Sequence, residues 1–355
     1  MPRRIASRRL GRPLTLSLLA LGFVVVLAAG IGSVPIGPAD VLAATARGLE
    51  TSVRGALGFP GVAPVDAGQR VIDTIVWQIR LPRVALAALV GAALALAGAG
   101  FQGVFRNPLA DPYLLGAASG AGFAAALVMV AGGTVGVLGR LGVGAAAFVG
   151  ATLTVLAVVA LARRGWTLPV VPLVLAGVVI GSCLAAGTSF VLLAAREQAA
   201  GILTWLLGSL AFASWERVAG VAPLLLVAAA GLLVAARALD VLQLGELAAL
   251  HLGVSVEALK LGVVLAGTLA TAAAVSVAGV IGFVGLIVPH AVRLAFGPDH
   301  RRLLPLAAVW GAGFMVVADL VARTVIAPAE VPVGVVTALV GAPFFLALLR
   351  RRGVA

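Results

Sequence analysis

Apolar residues in this chain come in long unbroken runs, and polar residues come in short clusters between them. A run of about eighteen or more apolar residues crosses about 30 Å of hydrocarbon as a helix rising 1.5 Å per residue. Reading each run against the charged or Pro/Gly break that ends it predicts ten helices, near 14–32, 84–104, 113–132, 141–161, 170–194, 218–236, 258–277, 280–296, 303–323 and 332–349. The division between 277 and 280 rests on the glycines of VSVAGVIGFVGLIVPH alone. Nine spans would put the two termini on opposite sides. The first run, Leu14 to Ile31, is longer than the roughly 7–15 residues of a signal-peptide core and reads as a first transmembrane helix.

Three connecting segments are long. Segment 33–80 is rich in Gly and Pro. Segment 195–217 holds AAGILTWLLGSLAF between Arg196-Glu197 and Glu216-Arg217. It is predicted to lie in or dip into an interface, with a further full span as the alternative. Segment 237–257 is less apolar, and its LGELAALHLGV predicts one or two short amphipathic helices with a Gly break. The stretch FRNPLADPYLLGAASGAG, from Phe105 to Gly122, is predicted to end the second span and turn the chain at the cytoplasmic edge, an architectural role.

Composition removes the alternative of a soluble protein. At 355 residues the chain is 62% hydrophobic and 11% charged, with a mean hydropathy of +1.18; soluble domains hold about 45–50% apolar and about 25% charged residues. Residues 1–355 therefore read as one all-α polytopic membrane domain, with short tails at 1–13 and 350–355. The net charge of +12 comes almost wholly from arginine, since Lys260 is the sole lysine. With ten spans and the N-terminus inside, 16 of the 25 basic residues fall on the cytoplasmic side, which places both termini there. No basic stripe interleaved with aromatics points to nucleic acid. The single cysteine, Cys183, allows neither an intrachain disulfide nor a cysteine metal cluster.

Candidate chemistry is sparse. The chain has no GxSxG, no HExxH and no Walker A loop, and its three histidines are scattered. It is not a P-loop ATPase by itself. An ion-coupled transporter needs intramembrane carboxylates, yet Asp319 is the only acidic residue inside a predicted span. Asp319 and Arg323 stand four apart on one helix face, as an intrahelical salt bridge or as partner-facing groups. Arg80 and Arg83 flank Pro82, where snorkelling to headgroups and receipt of an acidic partner both fit. The pairs Gly116/Gly120 and Gly177/Gly181 predict close helix packing.

Four stretches carry a resemblance. WQIRLPRVALAALVGAALALAGAGFQGVFRNPLADPYLLGAASGAG, LGELAALHLGV, GFVGLIVPHAVRLAFGPDHRRLLPL and ADLVARTVIAPAEVPVGVVTALVGAPFF resemble the FecCD-type permeases, the transmembrane subunits of ABC importers for iron-siderophore, heme and cobalamin. The resemblance runs from Trp77 to Leu349 in the same order. It implies a type II ABC importer permease fold in the bacterial cytoplasmic (inner) membrane, and a homodimer with the translocation path on its axis. The implied partners are two ATPase subunits inside and a periplasmic or lipoprotein substrate-binding protein outside. ATP and Mg would be held by the ATPase subunits, and no cofactor by this chain. Arg80 and Arg323 match outward arginines that pair with acidic residues of the binding protein. Gly245, Glu246, Ala249, Leu252 and Gly253 match the coupling helices that sit in a groove of the ATPase. Val170, Val171, Pro172 and Gly177 fall on the inner gate and path; TLPVVPLVLAG departs there from the hydroxyl-rich run of some cobalamin-type members, which implies a hydrophobic gate closing by dewetting. A ferric siderophore is the first expected cargo and heme or cobalamin the next, with an ion-coupled secondary transporter as the competing reading.

Overall fold

The computed structural model of the protein describes residues 10–59, 66–132 and 136–351. Among these, the backbone forms fourteen α-helices and no extended strand. They are α1 (Gly11–Gly30), α2 (Pro38–Ala56), α3 (Ala67–Asp73), α4 (Leu81–Val104), α5 (Ala117–Val130), α6 (Gly136–Ala162), α7 (Val170–Ala194), α8 (Ala199–Leu206), α9 (Trp215–Leu242), α10 (Glu246–His251), α11 (Val256–Ala278), α12 (Val284–Phe296), α13 (His300–Thr324) and α14 (Val333–Arg351). Seven apolar helical segments are long enough to cross a membrane, and α5, α12 and α14 are shorter apolar helices. Together they supply a helix for each of the ten predicted spans.

The centre of the bundle is α4, packed by α13, α11, α9 and α12. Its sequence explains the position. LPRVALAALVGAALALAGAGFQGV is small and apolar on every side, and a helix without a polar face belongs in the interior. Inside lipid, helices gain little from apolar burial against each other, so close backbone approach supplies the contact. A Cβ on Gly98 would overlap the backbone of Gly285 in α12, and one on Gly91 would overlap the Gly311 carbonyl in α13. The Gly116/Gly120 and Gly177/Gly181 pairs likewise pack α5 against α6 and α7.

Several boundaries differ from the sequence reading, each for a local reason. The described residues of segment 33–80 are largely helical: α2 buries Val41, Ala44 and Gly48 on one face, and α3 runs into a π-helical stretch, Thr74–Arg80, directly ahead of α4. Pro82 stands in the first turn of α4, a position where proline is tolerated. Segment 237–257 holds one short helix after the Gly245 break, within the expected one or two, since α9 continues through Leu242 before the chain turns into α10. The break between the seventh and eighth spans is present, where Gly279 and Phe283 both adopt φ of +69°.

The predicted cytoplasmic-edge turn at 105–116 needs correction. Pro112 packs against Gly285, which also faces the Leu94 carbonyl. Leu94 lies ten residues, about 15 Å, before the end of α4. The chain after α4 therefore folds back along it as far as Pro112. Irregular backbone within a bundle must find partners inside the protein. Asp111 accepts from the Tyr113 N–H at 2.8 Å, the Tyr113 hydroxyl donates to the Ile281 carbonyl at 3.1 Å, and Gln102 donates to the Gly285 carbonyl at 3.2 Å. Segment 195–217 forms no further span. After α8, Ser209 donates its N–H to the Ala278 carbonyl, and Val333 and Gly334 donate theirs to Gly208 and Leu207.

Candidate functional site

Two polar clusters mark opposite ends of the bundle. The first gathers where α1 ends, α2 lies and α13 ends. Arg80 is 5% exposed. Its guanidinium donates to the carbonyls of Ala29 at 2.8 Å and Gly30 at 2.9 Å, and to that of Val34. Arg323 donates to the Ala28 carbonyl and has Asp319 at 3.8 Å. Two arginines thus neutralise the C-terminal carbonyls of α1, where the helix dipole favours positive charge. Both side chains turn into the protein and bond the end of α1 where outward-facing charge was expected. The principal partner of Asp319 is Arg83, whose Nε lies 2.9 and 3.0 Å from the two carboxylate oxygens. The other side of Arg83 meets Glu330 at 2.8 and 3.0 Å. Glu330 is 41% exposed and brings the network to the surface.

The second cluster surrounds α10. Gly245 (φ +112°) and Gly253 (φ +82°) bracket this six-residue helix in conformations that suit glycine. Ala249 is its buried anchor, packed with Leu242 and Val256. Leu244, Leu247, Leu250 and Leu252 are all exposed, forming an apolar knob next to the helix. Glu246 turns the other way, 2.9 Å from the Lys260 ammonium, which also pairs with Glu257 at 3.1 Å. Glu257 in turn accepts the Leu168 N–H at 2.5 Å. The five residues expected at the coupling segment are thus brought together on and around one helix.

Next to this cluster, Val170, Val171 and Pro172 line a cleft of about 530 Å³ with Arg106, Glu246, Glu257 and Lys260. Gly177 does not belong to that lining. A Cβ there would strike the Leu114 carbonyl, so it faces the fold-back stretch and serves packing. Farther along α7, Val178, Val179, Phe190 and Leu193 are exposed, and only 17% of the α7 apolar window is buried, against 78% for the segment containing α4.

The whole-chain comparison decides the family. A profile of the FecCD transport family matches residues 18–351. The chain belongs to the FecCD transport family. Among the relatives of this FecCD chain is the cobalamin import system permease BtuC of Halobacterium salinarum, 43% identical over 343 residues covering 96% of this chain and 90% of the relative. The hemin transport system permease HmuU of Yersinia pestis is 42% identical over 280 residues, 78% of this chain and 84% of the relative. The uncharacterized ABC transporter permease YvrB of Bacillus subtilis is 43% identical over 296 residues, 83% of each chain. A solved structure, an inward-facing conformation of an ABC transporter assigned to the metal-chelate type, superposes with a TM-score of 0.81 at 30% identity, covering 96% of this chain and 99% of that one. The fold is that of an ABC-transporter permease.

The sequence missed two features of this FecCD fold. The first is the Arg83–Glu330 pairing, which spans 247 residues of chain and depends on how α4 and the turn after α13 meet. The second is the Lys260 cluster. One signal for it was available: a lone lysine one turn into an apolar helix has to find carboxylates. Among the described residues, no group of three or more His, Cys, Asp or Glu is placed to hold a metal ion.

Proposed function

We propose that this chain is the transmembrane permease of an ATP-driven importer of metal chelates, working as a homodimer by alternating access. The observation that carries the reading is the leucine knob around α10. Four exposed leucines beyond the ends of α9 and α11 suit the groove of a soluble subunit better than water, and exposed apolar patches of this kind mark interaction sites. The α10 end is then the cytoplasmic end, receiving one ATPase subunit per copy, and the Arg83–Glu330 end receives a substrate-binding protein. Arg80 and Arg323 support that surface from within by fixing the end of α1. The exposed face of α7 meets a second copy or the cargo at the dimer axis, with Val170, Val171 and Pro172 at its inner mouth. Relatives named for cobalamin, hemin and iron(3+)-hydroxamate import share 43%, 42% and 42% identity with this chain, which supports a metal chelate as the class of cargo. Asp319 is committed to Arg83, which speaks against an ion relay through that carboxylate.

The test is uptake into proteoliposomes holding the permease and its ATPase, with the binding protein added outside, using cobalamin, hemin and ferric hydroxamate as probes. ATP-dependent accumulation of at least one is expected. Uptake driven by a proton or sodium gradient without the ATPase would replace this reading with a secondary transporter.

A further inference from the structure

Lys260 is the sole lysine of the chain, and its side chain is 3% exposed. A buried ammonium persists only where carboxylates pair with it. Here the two carboxylates come from different elements: Glu246 opens α10, and Glu257 stands in the first turn of α11. The second oxygen of Glu257 holds the Leu168 N–H. Leu168 belongs to the tight turn between α6 and α7, closed by reciprocal backbone bonds between Arg164 and Thr167 at 3.0 and 3.1 Å. Pro169 follows and caps the start of α7. An unbroken polar chain therefore runs from α10 through Lys260 and Glu257 to the residue two positions before Val170.

The remaining attachments of α10 are of a different kind. Its glycine flanks permit rotation, and its buried anchor is a single alanine. Apolar contacts of that sort slide. A buried charge pair does not, because separation leaves an uncompensated charge in a poorly solvated place. Building on the reading that α10 receives an ATPase, we propose that Lys260 and Glu257 form the rigid link that carries displacement of α10 to the inner end of α7. Both are positioning residues, acting through α10 and the turn before α7. The link turns motion of a surface helix into motion of the Val170–Pro172 mouth, and it places the coupling at one ammonium instead of across the broad α9–α11 contact.

The experiment uses the permease assembled with its ATPase in lipid nanodiscs, in a Cys183→Ser background. Spin labels are placed singly at His251→Cys on α10 and at Leu175→Cys on α7, and distances between the two copies are read by pulsed dipolar spectroscopy with and without ATP and vanadate. In the otherwise unaltered protein both labels should respond to nucleotide. In Lys260→Met the α10 response should persist while the α7 response is lost. Glu257→Gln, which leaves Lys260 paired with Glu246, should do the same and covers the case in which Lys260→Met fails to assemble. Lys260→Arg should restore the α7 response. An undiminished α7 response in Glu257→Gln or Lys260→Met overturns the link while leaving the docking reading intact. Absence of any nucleotide response at α10 in the unaltered protein overturns the docking reading, and the link with it.

Discussion

Replacing Arg83 with alanine isolates the energetics of the buried network between α4 and α13. The substitution leaves Asp319, with a side chain 2% exposed, without the guanidinium that holds both of its oxygens. Breaking a buried pair by removing one partner costs about 3–5 kcal/mol. Two further effects adjust this. Arg323 remains 3.8 Å from the Asp319 carboxylate and offsets part of the loss, while the partly exposed Glu330 arm adds at most about 1 kcal/mol. The expected cost of Arg83→Ala is therefore about 3 kcal/mol, near the lower end of the range for a buried pair. Asp319→Asn, which keeps an acceptor for Arg83, should cost about 1–2 kcal/mol, the order of one charged hydrogen bond. The double variant Arg83→Met/Asp319→Leu removes both charges and should be less destabilised than Arg83→Ala. The assay is equilibrium unfolding in mixed micelles followed by tryptophan fluorescence. Trp77 and Trp215, with ring centroids 5.0 Å apart, lie at the same end of the bundle and report on it. A cost below about 1 kcal/mol for Arg83→Ala, the level of an exposed ion pair, would refute the reasoning, as would a double variant no better than the single one.

Three further outcomes follow from particular contacts. Arg80→Ala should cost about 2–3 kcal/mol through lost charged hydrogen bonds and should raise amide exchange around residues 30–36; a variant of normal stability that loses only affinity for an outer partner would return Arg80 to a docking role. Gly98→Ala should destabilise the bundle by about 1–3 kcal/mol through forced separation of α4 and α12, measured by the same unfolding assay, and an unchanged midpoint would contradict the backbone contact with Gly285. Leu247→Asp should leave stability intact, since Leu247 is 76% exposed, and weaken ATPase binding by roughly 30-fold, the scale of one interface hot spot; unchanged affinity in a binding titration would remove the α10 knob from the interface.

The ten helices were legible in the sequence because lipid imposes a length and a composition on each span independently of its neighbours. Even the glycine-only break near 279 was recoverable, since two residues at positive φ end a helix without any charge to mark it. Depth was not legible. FRNPLADPYLLG carries every signal of a turn, and it is a turn, but its folding back along α4 depends on Pro112 finding Gly285, 173 residues away. No hydropathy window reports such a pairing. The arginines show the same division: a charged residue at the end of an apolar run signals an interface, while its partners are set by tertiary packing. Arg80 therefore caps α1 where resemblance placed it at an outer rim.

That division bears on how motion could pass through a bundle made mostly of Gly, Ala and Leu. Helices packed through glycine pairs approach closely and, within lipid, gain little from preferring one sliding position over another. Charged links fix what small-residue packing leaves free. At one end Arg80, Arg83 and Arg323 bind α1, α4 and α13 together, and at the other Lys260 and Glu257 bind α10, α11 and the turn before α7. Between these two sets α7 has the most exposed face of the long apolar helices after α1. α7 is therefore held to α10 through Lys260, Glu257 and the turn that precedes it, and to the fold-back stretch beside α4 by the close approach of Gly177 to Leu114.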